Sequence, residues 1–262
     1  MSLAKLESAL LSLINDDREN FSIAVHTDEG NININADKPR QSASLAKLFI
    51  LAKVYEQVET GSLLLDKLVY IDSKKMVGGS GVISYLTNCH VYSYQNLVEL
   101  MTIVSDNTAS NILLETIGAE QTNQFARKLG CSNTNLGRNF MDQVSRMDGF
   151  ENVTTACDVC NLLTHFSREN GFFTENSRRN IKKILGNQQF NSKLSSYHQY
   201  DSTIKIYHKT GELQGVEHDA AIMEANGNTM EVAVLTEGWS NNGMAQYYLA
   251  EIGRMLRNYL VS

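Results

Sequence analysis

The residues of this chain best suited to chemistry fall in three short motifs: Ser44-Leu45-Ala46-Lys47, Ser105-Asp106-Asn107 and Lys209-Thr210-Gly211. A serine hydroxyl is a weak nucleophile until a base takes its proton. Ser44 and Lys47 stand three residues apart at the start of a helical pattern, which puts both side chains on one face. Lys47 can be that base only if its pKa is lowered. Desolvation by Leu45, Ala46, Leu48 and Phe49 acts in that direction, as does a second cation, for which Lys209 is the candidate.

Ser105-Asp106-Asn107 lies between two helical patterns. Asp106 is suited to cap the second helix while the loop aims Ser105 and Asn107 into a cleft. Lys209-Thr210-Gly211 ends an alternating strand, Thr203 to His208, where a glycine lets a substrate lie close to the strand edge. Lys209 and Thr210 suit a substrate carboxylate, and the Glu212 N–H can pair with that of Ser44 as an oxyanion hole. Taken singly, these motifs also read as a helix cap, a turn and a strand end. Chance supplies a Ser-x-x-Lys about once in a chain this long, and each of the others about one time in twenty. Their order and settings carry the weight.

The elements that must position them are legible from periodicity. An amphipathic stretch from Leu6 to Ile14 reads as a first helix, and Phe21–His26 and Ile32–Ala36 alternate as a β-hairpin. Ser42 to Val58 reads as a long buried helix closed by Gly61. From Leu63 to about Leu185 the pattern is helical with polar loops, including helices at Asn96–Val104 and Ala109–Ile117. His218–Ala225 and Thr229–Thr236 are further strands, and Met244–Leu260 is a closing helix. The expected fold is α/β of the α+β type: an antiparallel sheet flanked by helices from both chain ends, with a mostly helical domain inserted. The expected division is 1–60 plus 196–262 for the sheet domain and 61–195 for an all-α domain, with the active site in the cleft between them.

The three motifs, with Ser80-Gly81-Val82 and Asn107-Thr108-Ala109-Ser110-Asn111, resemble the serine β-lactamase and penicillin-binding protein superfamily, class A type, over nearly the whole chain. The resemblance implies that Ser44 is acylated with Lys47 as its base. Ser105 would pass a proton to the leaving nitrogen, and Asn107 would hold the substrate amide and Lys47. Lys209 and Thr210, beside Gly211, would bind a carboxylate.

One part of the class A pattern is missing. The family carries a loop Glu, with an Asn four residues on, that activates the water clearing the acyl-enzyme. No Glu-x-x-x-Asn occurs between Arg138 and Glu151. Counting back from Thr154 puts Phe140 at the glutamate's place, or Asp142 if the loop is shortened. Asp142 has a shorter side chain, and a misplacement of about 1 Å can cost roughly 10²-fold. Asp148 and Asn152 have the right mutual spacing but lie too near the helix start. The expectation is a serine hydrolase that acylates readily and deacylates slowly. The alternative is a penicillin-binding, D-Ala-D-Ala peptidase-like or sensor protein that acylates without efficient turnover.

Other classes fit less well. Net charge is −6 with acids and bases mixed, which gives no basic stripe for nucleic acid. The apolar runs are too short for a transmembrane helix. The expected partner is a small-molecule amide or ester, with a monomer favoured. Cys157-Asp158-Val159-Cys160 lacks a second ligand pair for zinc, so no metal or cofactor is expected; with Cys89 and Cys131 these read as ordinary cysteines. No Gly-x-Ser-x-Gly surrounds Ser44, and His208 should point to the sheet face opposite Lys209; His208 and His218 lack further metal ligands. The chain opens directly into its first helix. A secreted or cell-envelope protein is expected if a leader has been cut away, and a cytoplasmic one otherwise.

Overall fold

A computed structural model describes all residues, 1–262. Its helices are α1 (Leu3–Leu13), α2 (Ala46–Glu59), α3 (Tyr94–Ile103), α4 (Asn107–Ile117), α5 (Ala119–Lys128), α6 (Gln143–Met147), α7 (Ala156–Ser167), α8 (Glu175–Leu185) and α9 (Asn242–Leu260). Its strands are β1 (Phe21–Thr27), β2 (Gly30–Ile34), β3 (Arg40–Gln41), β4 (Leu68–Tyr70), β5 (Val91–Ser93), β6 (Val153–Thr154), β7 (Lys205–Leu213), β8 (Val216–Ala225) and β9 (Asn228–Glu237). The fold is the expected mixed α/β class. One five-stranded antiparallel sheet runs β2-β1-β9-β8-β7, so strands from the two chain ends meet at its centre.

Alternation along the strands divides the apolar side chains between two cores. Ile23, Val25, Ala221, Met223, Val232 and Val234 face α1 and α9. Ala24, Ala220, Ile222, Ala233 and Leu235 face the helical block. On that second face Ala24, Ala233 and Ala220 stand side by side across three strands, and the next residue in the row, on edge strand β7, is Lys209. The sheet therefore delivers Lys209 to the side where the helices lie, and puts His208 on the other.

The structure differs from the sequence reading in four places. Residues 61–93 hold no α-helix: they form the β4–β5 ribbon and two 3-10 turns, and Gly79 and Gly81 adopt positive φ there. The span 61–195 is thus not all helical. The helix expected from Ser42 begins at Ala46, because Ala43 takes φ 45° and Ala43–Leu45 form a 3-10 turn. Strand β7 runs on to Leu213, so the Lys-Thr-Gly motif lies within a paired strand, with Gly211 opposite His218 and Glu212 opposite Glu217. Strand β8 correspondingly starts at Val216 rather than His218.

Two buried polar residues tie these parts together. Asp106 caps α4 by accepting from the Ala109 N–H at 2.9 Å, and its other oxygen accepts from Val82 and Ile83 at 2.7 and 2.9 Å. Gly81 lies so close to Asp106 that an added Cβ would sit 2.3 Å from it. His218 donates from Nε2 to the Gln41 carbonyl at 2.8 Å and accepts at Nδ1 from the Thr236 N–H at 3.0 Å. Those two bonds fix a neutral tautomer, and burial pushes its pKa down to about 4.

Two measurements check these roles. Asp106→Ala strands three N–H donors and should cost about 3 kcal/mol in urea unfolding; a loss below ~1 kcal/mol would refute it. His218 is neutral in the fold and titrates near 6.5 when unfolded, so its contribution is full above pH 6.5 and is lost as the pH falls towards 4. Stability should drop by roughly 3 kcal/mol more between pH 7 and pH 4 in the parent than in His218→Gln. Equal drops in the two proteins would contradict this.

Candidate active site

Ser44 sits on the 3-10 turn ahead of α2, half-buried at the floor of a cleft of about 690 Å³. Lys47 follows three residues later in the first turn of α2, on the same face as Ser44. Lys47 is fully buried, and its ammonium has three acceptors: the Ser105 carbonyl at 2.6 Å, Ser105 Oγ at 3.0 Å and Asn107 Oδ1 at 2.8 Å. Ser105 can present its carbonyl and its hydroxyl to one ammonium because its backbone is left-handed, at φ 56°. The Asn107 amide is oriented by donating from Nδ2 to the Gly78 carbonyl at 3.0 Å.

Lys209 approaches from the sheet. Its Nζ donates to Ser105 Oγ at 3.1 Å and to the Thr210 carbonyl at 2.8 Å. Ser105 Oγ therefore lies between two buried lysines. Burial, followed by the Lys209 charge, holds Lys47 well below the usual lysine range; Asp106 opposes this. Burial, then the charge of Lys193, brings Lys209 down to about 7. Thr210, Glu212 and Leu213 line the cleft on the sheet side, and Ser105, Asn107, Phe140 and Met141 line it on the other.

Strain concentrates here. Six non-glycine residues have left-handed φ: Asn35, Asn88 and Asn226, of the type that tolerates it, and Ala43, Ser105 and Met141. All three of the latter line the cleft. Each costs on the order of 1–2 kcal/mol that the surrounding contacts must offset.

The loop between the second and third motifs does not bring its candidate acid into the cleft. Asp142 caps α6, accepting from the Ser145 N–H and hydroxyl at 3.0 and 2.7 Å, and those bonds lower its pKa. It lines a separate cavity with Lys75, Asn111 and Glu115. Phe140 instead lies over Lys47, with Nζ 4.7 Å from the ring centre, and is pinned by two bonds between its backbone and the Asn111 side chain. Asp148 is exposed beyond α6. Asn152 accepts from the Gly137 and Arg138 N–H groups and closes the neck of the loop. Glu151 does line the cleft, but Arg138 holds its carboxylate through Nε and Nη2 at 2.9 and 2.6 Å.

Three features escaped the sequence reading. Arg138 and Glu151 pair across a loop, and only their opposite charges at its two ends hinted at it. The Phe140 ring on Lys47 had its position in the count but no contact. Lys193, in the polar stretch Asn191-Ser192-Lys193, carries no motif, yet it is buried behind β7. His208 meets Asp219 at 3.0 Å and Asn191 at 3.0 Å, on the face away from Lys209. None of the four cysteines is disulfide-bonded, and burial pushes the Cys131 and Cys160 thiols up.

Comparison with known proteins follows this geometry. A β-lactamase from Sphaerobacter thermophilus DSM 20745 superposes with a TM-score of 0.88 at 24% identity, covering 98% of this chain and 96% of that one. A class A β-lactamase from Bacteroides cellulosilyticus DSM 14838 gives 0.85 at 21% identity, with coverages of 98% and 97%. A mutant of PBP-A, in an acyl-enzyme complex with penicillin G, gives 0.86 at 22% identity, with coverages of 98% and 96%. At these identities the likeness is one of fold. Comparison with curated proteins gives no match. The sequence model of the β-lactamase enzyme family, however, matches residues 5–260, which takes in all three motifs and both ends of the sheet, and this chain belongs to that family.

Proposed function

We propose that the protein is a serine hydrolase of β-lactamase type that forms an acyl-enzyme on Ser44 and releases it slowly. The observation that carries this is the buried relay Lys47–Ser105–Lys209 beside the Ser44 turn. Ser44 Oγ attacks the carbonyl carbon of a lactam or peptide-like amide, and its proton passes to Lys47 in the neutral form that burial favours. The Ser44 and Glu212 N–H groups receive the oxyanion. The carbon–nitrogen bond then breaks, and the leaving nitrogen takes a proton from Ser105, which regains one from Lys47. Asn107 orients the substrate amide, and Lys209 and Thr210 hold a carboxylate.

Phe140 supports slow release. A carboxylate that activates water must stand beside Lys47 and the ester, and the place the count assigns to it holds an apolar ring. The same observation favours the second reading, a penicillin-binding or peptidase-like protein, over a resistance enzyme.

Intact-mass measurement with penicillin G should show one adduct, mapped to Ser44, that outlives the reaction by many minutes and is missing in Ser44→Ala. Lys47→Met should slow its formation roughly 100-fold or more. Rapid steady-state hydrolysis of nitrocefin by the parent, abolished in Asp142→Asn, would overturn the slow-release reading. Phe140→Glu should speed loss of the adduct at least about tenfold, read by the decay of the mass peak. An unchanged lifetime would mean that the ring is not what withholds the water.

A further inference from the structure

Lys193 belongs to none of the motifs, yet its side chain is 2% exposed and ends against strand β7. Its Nζ donates to the Gly211 carbonyl at 2.9 Å and to the His218 carbonyl at 3.2 Å, and it is ion-paired with Glu217, whose side chain is fully buried. The other Glu217 oxygen accepts from Asn242 and Gln246 of α9 at 2.9 and 3.0 Å. The ammonium is thus fixed from both sides.

The Gly211 carbonyl and the Glu212 N–H belong to one peptide unit. That unit is planar and trans, so the two groups point in opposite directions, and whatever pins the carbonyl aims the N–H. A charged donor on the carbonyl oxygen also polarises the unit and strengthens the N–H as a donor. Glu212 lines the cleft on an edge strand, opposite Ser44. A Cβ added at Gly211 would lie 3.3 Å from the Ala43 Cβ and from His218, so the strand is already in close contact with the Ser44 turn.

We propose that Lys193 is a positioning residue that orients and polarises the Gly211–Glu212 peptide, so that its N–H holds the oxyanion of the reacting carbonyl. This rests on acylation of Ser44 as proposed above.

The test uses penicillin G carrying ¹³C at the β-lactam carbonyl, with the ester band of the acyl-enzyme read by infrared difference spectroscopy. Two variants are compared with the parent: Lys193→Met combined with Glu217→Gln, which removes both charges together, and Lys193→Gln, which keeps a donor without the charge. In variants that melt cooperatively, the band should move to higher wavenumber. The acylation rate constant should fall roughly 10- to 100-fold, with the affinity of the non-covalent complex little changed. Lys193→Arg should restore most of the rate. A merely structural lysine predicts an unmoved band and a rate within about twofold of the parent, which would overturn the inference while leaving acylation of Ser44 intact. If the parent forms no adduct on Ser44, the proposed function fails first and this inference with it.

Discussion

The buried ammonium of Lys47 is the constraint around which the site is arranged. An isolated cation in an apolar interior costs several kcal/mol, and this one follows a turn and opens a helix whose Leu45, Ala46, Leu48 and Phe49 are all buried. In its charged form the three protons need three acceptors, and the second motif supplies all of them within three residues. That supply forces Ser105 into a left-handed turn, which the adjoining helices must hold against strain. Asp106 anchors the turn from below by capping α4 and gripping residues 82–83. Gly78 and Gly79 then fix the Asn107 amide, where an added Cβ at Gly79 would sit 2.7 Å from Asn107 Nδ2. The cost of one buried charge thus accounts for the sequence of a loop, the absence of side chains in a second loop and the start of a helix.

The sheet imposes the other half of the geometry. Lys209 reaches Ser105 because it ends a row of alanines, Ala24, Ala233 and Ala220, on the face where α7 packs against β1, β8 and β9. Small side chains let the helical layer come close, and a long side chain at the edge of that row then spans the remaining gap. A slip of one residue between β7 and β8 would send Lys209 to the α9 face and His208 to the cleft. The β7–β8 ladder, Lys193 donating to carbonyls of both strands at Gly211 and His218, and the buried pair His208–Asp219 all oppose such a slip.

What the sequence made legible were features written in neighbouring residues. The hairpin, the closing helix, the capping aspartate and the three motifs each depend on spacings of a few positions. What it hid were contacts made across the chain. Lys193 lies in a polar stretch, and only the β7–β8 pairing, 18 and 25 residues away, turns that stretch inward. Glycines and short polar runs between 61 and 93 read as loops between helices, whereas the backbone there is held by Asp106 and Thr108 from a different element. Asp142 read as a candidate water-activating acid, though a loop or capping role suits an aspartate there better. Ser145, three residues on, is placed to receive its carboxylate, and that local geometry satisfies both of its oxygens.

These constraints separate the two halves of the proposed reaction. The groups assigned to acylation sit on the 3-10 turn and α2, the α3–α4 turn and β7, and Lys47, Ser105 and Lys209 link these elements by buried hydrogen bonds. The wall facing them is a loop whose neck is closed by Arg138, Glu151 and Asn152 and whose tip rests on Asn111. The bonds from Asn111 of α4 hold the tip of that loop so that the ring of Phe140 lies over Lys47. A carboxylate in place of that ring would favour the charged form of Lys47, so the exchange would act on the base as well as on the water. On the proposed mechanism, release of the acyl-enzyme turns on the side chain that this loop presents to Lys47, while its formation rests on the lysine relay and the oxyanion donors.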